Sequence, residues 1–157
     1  MMRSRLLCVL ALTAFLISSC DLLNCTQADV RCLQIEIFDM NETPLELPDT
    51  LTVLACGTDS VLINRSLDTK EILLPLSYHA PVDTFILLNY GEGYTLRDTL
   101  FVAKSNDIYF ESPDCPTVMM HTIKSVRCTN EYLDSVSLVD PKVNFTETTH
   151  IRLFVRE

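Results

Sequence analysis

The sequence predicts an all-β protein: a single antiparallel β-sandwich, Ig-like or barrel-like, that follows an N-terminal signal peptide. Two observations carry the fold prediction. Apolar and polar residues alternate through short segments, which is the period of half-buried strands, and residues typical of turns separate these segments at short intervals. A third observation is that the 157 residues include only three glycines, which disfavours Gly-rich repeats and phosphate-cradling loops.

The first 19 residues have the three parts of a signal peptide. A basic start (1–5) precedes an apolar stretch (6–17), which is shorter than the roughly 20 residues of a membrane-spanning helix. The segment 17–20, Ile-Ser-Ser-Cys, resembles the lipobox of bacterial lipoproteins. That resemblance implies cleavage before Cys20 and acylation of its sulfur and amine, and several acyl chains anchor a protein stably. An ordinary secretory signal cut elsewhere is the alternative.

The chain therefore divides into a signal peptide (1–19), a lipidated tether (20–30) and a β-sandwich domain (31–157). The length after Cys20 suits one domain, and an apolar fraction of 48% is sufficient for one core. If the first strand begins near Arg31, the tether spans at most ~35 Å. Such a tether would keep any partner close to the membrane.

The strand candidates begin at 33–38, where Leu33, Ile35 and Ile37 occupy alternate positions. The same period recurs in 51–55 and 100–102. The further candidates are 61–64, 71–74, 84–88, 108–111, 118–127, 133–138 and 151–155. The turn residues between the candidates are Pro44, Pro48, Gly57, Pro81, Gly91, Gly93, Pro113 and Pro141.

Charge excludes one class of partner. All 21 acidic residues follow the predicted cut and two of the 12 basic residues precede it, which leaves ten basic residues and a formal charge of −11. Nucleic-acid binding requires clustered Lys and Arg that displace counterions from phosphate, and the basic residues here are scattered. We therefore expect no nucleic-acid partner, and attachment to the membrane through the lipid rather than through charge.

Five of the seven cysteines remain once the signal peptide and Cys20 are set aside. Export places them in an oxidising compartment where disulfides form. The disulfide candidates are Cys25, Cys32, Cys115 and Cys128, and Cys56 suits a small core residue. Spacing does not determine their pairing. A bond from Cys25 or Cys32 to Cys115 is preferred, because it would connect the start of the domain to a later turn.

Three segments repeat Asp-Thr before an apolar alternation, at Asp49, Asp83 and Asp98. Asp caps backbone amides in turns and Thr favours strands, so the phrase is interpreted as a strand start. A calcium site made by the three carboxylates is the alternative, although their spacing is irregular. The histidines are far apart and no CxxC pair occurs, so neither a metal nor a cofactor is expected.

The segment 90–94, Tyr-Gly-Glu-Gly-Tyr, is the candidate binding loop. Tyr90 and Tyr94 flank a turn at Glu92 and are suited to stacking on a sugar ring or a partner surface. The alternative is a mobile hairpin end, in which the glycines only permit positive φ.

The sequence contains no strong pattern of catalytic residues. Cys115 and His121 would form a nucleophile and base only if a tight turn brought them within ~3 Å, and a disulfide at Cys115 is preferred. No Gly-x-Ser-x-Gly elbow occurs. Glu92 between two tyrosines suits a glycosidase, but acidic residues are abundant. We therefore predict no catalytic residue, with an envelope hydrolase acting on glycan or peptide as the alternative.

Several segments together resemble an uncharacterised lipoprotein family of Bacteroides-type bacteria. They are 74–78, 83–84, 110–115 and 120–123, followed by the tail 130–155. The resemblance implies no activity, substrate or catalytic residue. The sequence thus predicts a cell-envelope lipoprotein that acts as a binding or assembly module for an envelope protein or a glycan. Because no acidic run follows Cys20, the periplasmic face of the outer membrane is favoured.

Overall fold

The structure is a computed structural model that describes Cys25, residues 31–58 and residues 60–156. The signal peptide, Cys20 and the tether apart from Cys25 therefore lie outside the described residues. Within the described part no helix is long and apolar enough to cross a membrane. All regular structure there is β, which confirms the predicted fold class.

Ten strands follow one another along the described chain. They are β1 (Cys32–Phe38), β2 (Thr50–Ala55), β3 (Ser60–Ser66), β4 (Glu71–Pro75), β5 (Val82–Gly91), β6 (Tyr94–Tyr109), β7 (Val118–Cys128), β8 (Leu133–Leu138), β9 (Lys142–Val143) and β10 (Ile151–Val155).

The strands form two sheets. A four-stranded sheet has the order β4-β1-β10-β8, and a six-stranded sheet has the order β3-β2-β5-β6-β7-β9. The first and last strands pair in parallel, with Ile35 opposite Ile151, and every other pair is antiparallel. This parallel pair departs from the antiparallel prediction. Two strands joined by a tight hairpin must pair antiparallel. The strand before β10 is β9, which belongs to the other sheet, so no hairpin fixes the direction of β10 relative to β1.

The core lies between the sheets and uses the predicted alternation. Leu33, Ile35 and Ile37 of β1 are buried, with the more polar residues between them partly exposed. Facing positions of β2, β5 and β6 complete the core with Leu51, Val53, Phe85, Leu87, Leu100 and Val102. Burying each such side chain contributes roughly 1.5–3 kcal/mol, so period-2 burial on both sheets holds the sandwich together.

The prediction divided one long strand, β6, into two. The sequence suggested separate strands at 100–102 and 108–111, but β6 runs without a break through both and ends at Tyr109. The polar residues 104–107 lay between the two predicted strands, yet they pair with β7, with a register shift after Ala103. Because Lys104 and Asn106 find polar partners inside the sandwich, the strand continues through this polar stretch.

Candidate functional site

The inward faces of β5 and β6 are apolar in the middle and polar at both ends. On β5 the buried positions run from Asp83 to Asn89 in steps of two. On β6, Lys104 lies near Asp83 at one end, and Leu96 lies opposite Asn89 at the other. We call these the Lys104 end and the Asn89 end of the sandwich. Each end has a group of polar side chains and a cavity.

Lys104 is the centre of a buried polar cluster. Its Nζ lies 3.3 Å from Asp83 Oδ2, and the Lys104 side chain is 0% exposed. The ammonium donates to the carbonyl of Ser77 at 2.6 Å, to the carbonyl of Ala80 at 2.9 Å and to Asn106 Oδ1 at 2.7 Å. Three donors thus meet three oxygens and one counter-charge, which is how a buried lysine is tolerated.

His121 extends the cluster from β7. Its Nδ1 lies 2.8 Å from Asn106 Oδ1, whose amide nitrogen donates to the Tyr78 carbonyl. Because the amide oxygen only accepts, Nδ1 carries the proton. Burial, followed by the charge of Lys104, lowers the pKa of His121 to about 4. His121 is therefore neutral at physiological pH. It contacts Asn106, whose amide nitrogen holds the loop 76–81 to the sheet through the carbonyls of Tyr78 and Ala80.

The polar groups of the Lys104 cluster already bond to one another and to nearby backbone groups. A cavity of about 490 Å³ lies beside it and includes Asp83 and Ser77 in its lining. However, Asp83 already accepts from the Ser77 amide and pairs with Lys104. Because these groups already have partners within the protein, the cluster holds the loop 76–81 to the sheet and has few free hydrogen-bonding atoms for a ligand.

A buried carboxylate joins the two sheets nearer the Asn89 end. Asp98 is 0% exposed and accepts four hydrogen bonds. Its Oδ1 accepts from the Thr129 hydroxyl and the Glu131 amide, and its Oδ2 accepts from the amides of Tyr132 and Leu133. Both lone-pair directions of each oxygen are used, and the connection from β7 to β8 is held against β6.

The candidate site is the cavity at the Asn89 end, which we call the end cavity. Its volume is about 580 Å³, within the range of small-molecule sites. Residues of both sheets and of the segment after β1 line it. They are Leu45, Leu47, Pro48, Asp49, Asn89, Tyr94, Leu96, Glu131, Tyr132, Val155 and Arg156.

Two buried polar groups distinguish the end cavity. Asn89 and Tyr132 are 6% and 4% exposed, and among the described residues neither Asn89 Oδ1 nor the Tyr132 hydroxyl has a hydrogen-bond partner. Buried polar atoms are nearly always paired, with protein, water or ligand. Burial raises the pKa of Tyr132, so its hydroxyl stays protonated and able to donate. Both residues line the end cavity, and each has a polar atom whose hydrogen-bonding capacity the described residues leave unused.

The candidate binding loop contributes one wall of the cavity. Tyr94 donates its hydroxyl to Asp49 Oδ2 at 2.6 Å, a bond that raises the Tyr94 pKa. The Tyr94 ring lies over Gly91, where a Cβ would overlap it. Tyr90 contacts Arg65, whose guanidinium lies 4.4 Å from the ring centroid. Glu92 is exposed at the turn, so only Tyr94 of this loop lines the end cavity.

Charge at the end cavity is predominantly negative. Asp49 and Glu131 line it, and Glu131 accepts a hydrogen bond from the Arg97 amide. The one cationic side chain among the lining residues, Arg156, lies 3.2 Å from Asp134. Two carboxylates thus line the cavity together with one cation that already has a partner. This charge balance disfavours an anionic ligand relative to a neutral or cationic one.

The cysteines are placed differently from one another. Cys25 and Cys115 form a disulfide with Cα atoms 5.6 Å apart, which is one of the two preferred pairings. Cys128 lies half-buried at the end of β7, where burial raises the pKa of its thiol, and Cys32 begins β1. With the Cys115 sulfur in a disulfide and His121 bound to Asn106, these two residues do not form a nucleophile and base.

The aspartates of the three Asp-Thr motifs occupy three different structural positions. Asp49 precedes β2, as predicted. Asp83 is the second residue of β5, and Asp98 lies inside β6. The interpretation as a strand start was wrong for Asp98, because its buried carboxylate caps amides of another segment. Within residues 31–58 and 60–156, no three carboxylate, histidine or cysteine side chains converge in a way that suits a metal ion.

The fold and the site together define an all-β, two-sheet domain whose candidate site is the cavity at the Asn89 end of the sandwich. The chain belongs to a family of unknown function, DUF6452, whose sequence profile matches residues 50–155. The matched range begins at β2 and leaves out β1. The comparison with curated proteins found no match, and the comparison with solved structures found none either.

Sequence reasoning missed most of the polar residues inside the sandwich. Lys104 continues the step-of-two series from Leu100 and Val102, and Asn89 continues the series from Phe85 and Leu87. A polar residue in phase with buried ones was the available signal. The partners of Lys104 lie on other segments, so the period alone did not identify the contacts.

Proposed function

We propose that this protein is a lipid-anchored, non-catalytic module of the cell envelope that binds a small neutral glycan in the end cavity. The observation that carries the proposal is that Asn89 Oδ1 and the Tyr132 hydroxyl have no hydrogen-bond partner among the described residues, while both residues line a cavity with a largely apolar lining. Ligand sites typically combine an apolar lining with a few fixed polar groups.

The ligand class follows from these groups. A sugar hydroxyl both donates and accepts, so one sugar can donate to Asn89 and bond Tyr132. The apolar face of a sugar ring suits the aliphatic wall at Leu45 and Leu96 and the aromatic ring of Tyr94. The carboxylates of the lining disfavour uronic acids and phosphorylated sugars. A neutral mono- or disaccharide therefore meets both requirements.

The proposed localisation rests on the sequence. The segment 17–20 resembles a lipobox, and the chain resembles lipoproteins of Bacteroides-type bacteria. Acylation of Cys20 would hold the module at the periplasmic face of the outer membrane. The membrane is thus one partner of the proposed module, through the lipid, and a glycan is the other. An envelope protein is the competing partner.

The test is saturation-transfer NMR on the lipidated protein in nanodiscs. The probes are N-acetylglucosamine, N,N′-diacetylchitobiose and glucuronic acid. We expect transfer to the neutral sugars, at least a tenfold weaker affinity in Asn89→Leu and Tyr132→Phe, and no change in Tyr78→Phe, which alters a tyrosine far from the cavity. Absence of transfer to both neutral sugars, or equal affinity in the cavity variants, overturns the proposal.

A glycoside hydrolase is the rival function, because Asp49 and Glu131 both line the end cavity and such enzymes use two carboxyl groups. The general acid of a hydrolase is usually adapted by apolar burial, whereas Glu131 is exposed. Release of N-acetylglucosamine from N,N′-diacetylchitobiose, abolished in both Asp49→Asn and Glu131→Gln, would support the hydrolase and overturn the non-catalytic assignment.

A further inference from the structure

We infer that the Lys104 end of the sandwich faces the membrane, with the tip between β6 and β7 resting on the bilayer, and that the end cavity is held on the side away from it. The inference rests on the proposed lipid anchor at Cys20. It goes beyond that anchor, because it assigns an orientation and a membrane-contacting surface to the folded domain.

The disulfide sets the position of the anchor. Cys25 is bonded to Cys115, which lies in the connection between β6 and β7. Cys20 precedes Cys25 by five positions in the chain, so the two Cα atoms are at most ~18 Å apart. The lipid is therefore confined to the neighbourhood of this tip, and the effective tether is about half as long as a tether that ends at Arg31.

A second contact places the start of the domain at the same end. The Arg31 guanidinium lies 4.5 Å from the ring centroid of Phe145. Phe145 in turn packs edge-on against Tyr109, the last residue of β6, with ring centroids 5.1 Å apart. The disulfide and this stack are independent contacts, and both bring the N-terminal part of the chain to the β6–β7 tip.

The tip exposes apolar side chains. Ile108 is 71% exposed and Phe110 is 58% exposed. An aliphatic and an aromatic side chain beside a lipid attachment suit the boundary between headgroups and acyl chains. The tip also carries Asp107, Glu111 and Asp114, which disfavour anionic headgroups. The surface therefore fits a zwitterionic leaflet, and the bilayer that holds the Cys20 lipid is the occupant we assign to it.

The end cavity lies at the opposite end. β6 runs from Tyr94, in the cavity wall, to Tyr109 at the tip. A strand of 16 residues spans roughly 50 Å at ~3.3 Å per residue. A domain that rests on its β6–β7 tip therefore presents the end cavity tens of ångströms from the bilayer. The short tether was expected to keep every partner near the membrane, whereas this orientation gives the ligand access from the aqueous side.

Tryptophan fluorescence tests the orientation, because the chain contains no Trp. The full-length lipoprotein carrying Phe110→Trp is reconstituted in phosphatidylcholine–phosphatidylethanolamine vesicles and quenched with brominated lipids. The matched control is Leu67→Trp, also exposed, at 65%, and adjacent to Ser66, which pairs with β2 at the Asn89 end. We expect a blue-shifted spectrum and at least threefold stronger quenching at position 110 than at position 67.

Vesicle flotation separates the two proposals. Failure of the protein to float with vesicles overturns the lipid anchor and the orientation with it. Flotation with equal quenching at both positions, or with stronger quenching at 67, overturns the orientation alone. In Cys25→Ser and in Cys115→Ser, quenching at 110 should fall by at least half while flotation persists, and Cys128→Ser should leave it unchanged. Undiminished quenching without the disulfide overturns its role in setting the orientation.

Discussion

Lys104 of β6 and Asp83 of β5 form an ion pair inside the sandwich, with Nζ and Oδ2 3.3 Å apart and side-chain exposures of 0% and 10%. A second ion pair, between Arg156 and Asp134, has nearly the same separation of 3.2 Å but exposures of 47% and 32%. The two pairs thus have similar separations but very different access to water. Lys104 also donates to three further oxygen atoms, so burial and this hydrogen bonding together set its contribution to stability.

Lys104→Met should lower the free energy of unfolding by about 3–5 kcal/mol, because it leaves the Asp83 carboxylate without its counter-charge and three acceptors without a donor. Adding Asp83→Leu should recover part of the loss. Arg156→Met should cost less than about 1 kcal/mol, since the exposed pair is screened by water. Urea unfolding measures all three variants, and similar losses for the two single variants would contradict the assignment of a buried pair.

Asp98→Asn should destabilise the fold by about 2–5 kcal/mol, because one carboxylate oxygen is replaced by an NH₂ group that faces two donors. Asp140→Asn is the control, since Asp140 accepts an exposed hydrogen bond from the Lys142 amide. In Asp98→Asn, hydrogen exchange of the amides at 131–133 should become faster relative to the rest of β8. Unchanged protection of those three amides would show that Asp98 does not hold this connection.

Acid should destabilise the protein through His121. The pKa of this residue is about 4 in the folded chain and ~6.5 when unfolded, so between these values the unfolded state binds more protons. Stability is fully present above pH ~6.5 and falls by about 2 kcal/mol from pH 7 to 5 on this account. His121→Phe should flatten this slope by that amount. His150, whose pKa burial also lowers, keeps its own contribution in both proteins.

Gly91→Ala should displace the Tyr94 ring, because a Cβ at Gly91 overlaps it. The displaced hydroxyl would lose Asp49, whose hydrogen bond is the main cause of the raised Tyr94 pKa. That pKa should therefore return toward its ordinary value of ~10. Spectrophotometric titration of phenolate absorbance measures the shift, with Tyr94→Phe identifying the Tyr94 component. A Tyr94 component that titrates identically in wild type and Gly91→Ala would contradict the contact.

The strands were the most predictable part of the protein. Segments such as 33–38 and 133–138 match β1 and β8 to within one residue, because one buried face forces a period of two. The two-residue strand β9 carried no such period. β6 was divided in the prediction, since polar residues at 104–107 obscure a strand whose inward positions are satisfied by other segments.

The site was predictable only in part. Tyr94 was identified from the aromatic loop and Asp49 from the Asp-Thr phrase, and both line the end cavity. Asn89 and Tyr132 were not identified. They are separated by 43 positions in sequence, and their common exposure to one cavity depends on how the two sheets pack. A polar residue among buried ones signals an internal partner or ligand, but it does not identify which.

The sequence by itself determined the β class, the strand faces and the acidic surface, because alternation and charge are local properties that each residue carries wherever the chain folds. Only the tertiary structure decided that Lys104 meets Asp83, that Cys25 meets Cys115, and that Asn89 and Tyr132 share a cavity. Those contacts join residues distant in the chain, and their geometry follows from sheet order and register. The polar interior of this sandwich is therefore a product of strand pairing and sheet packing.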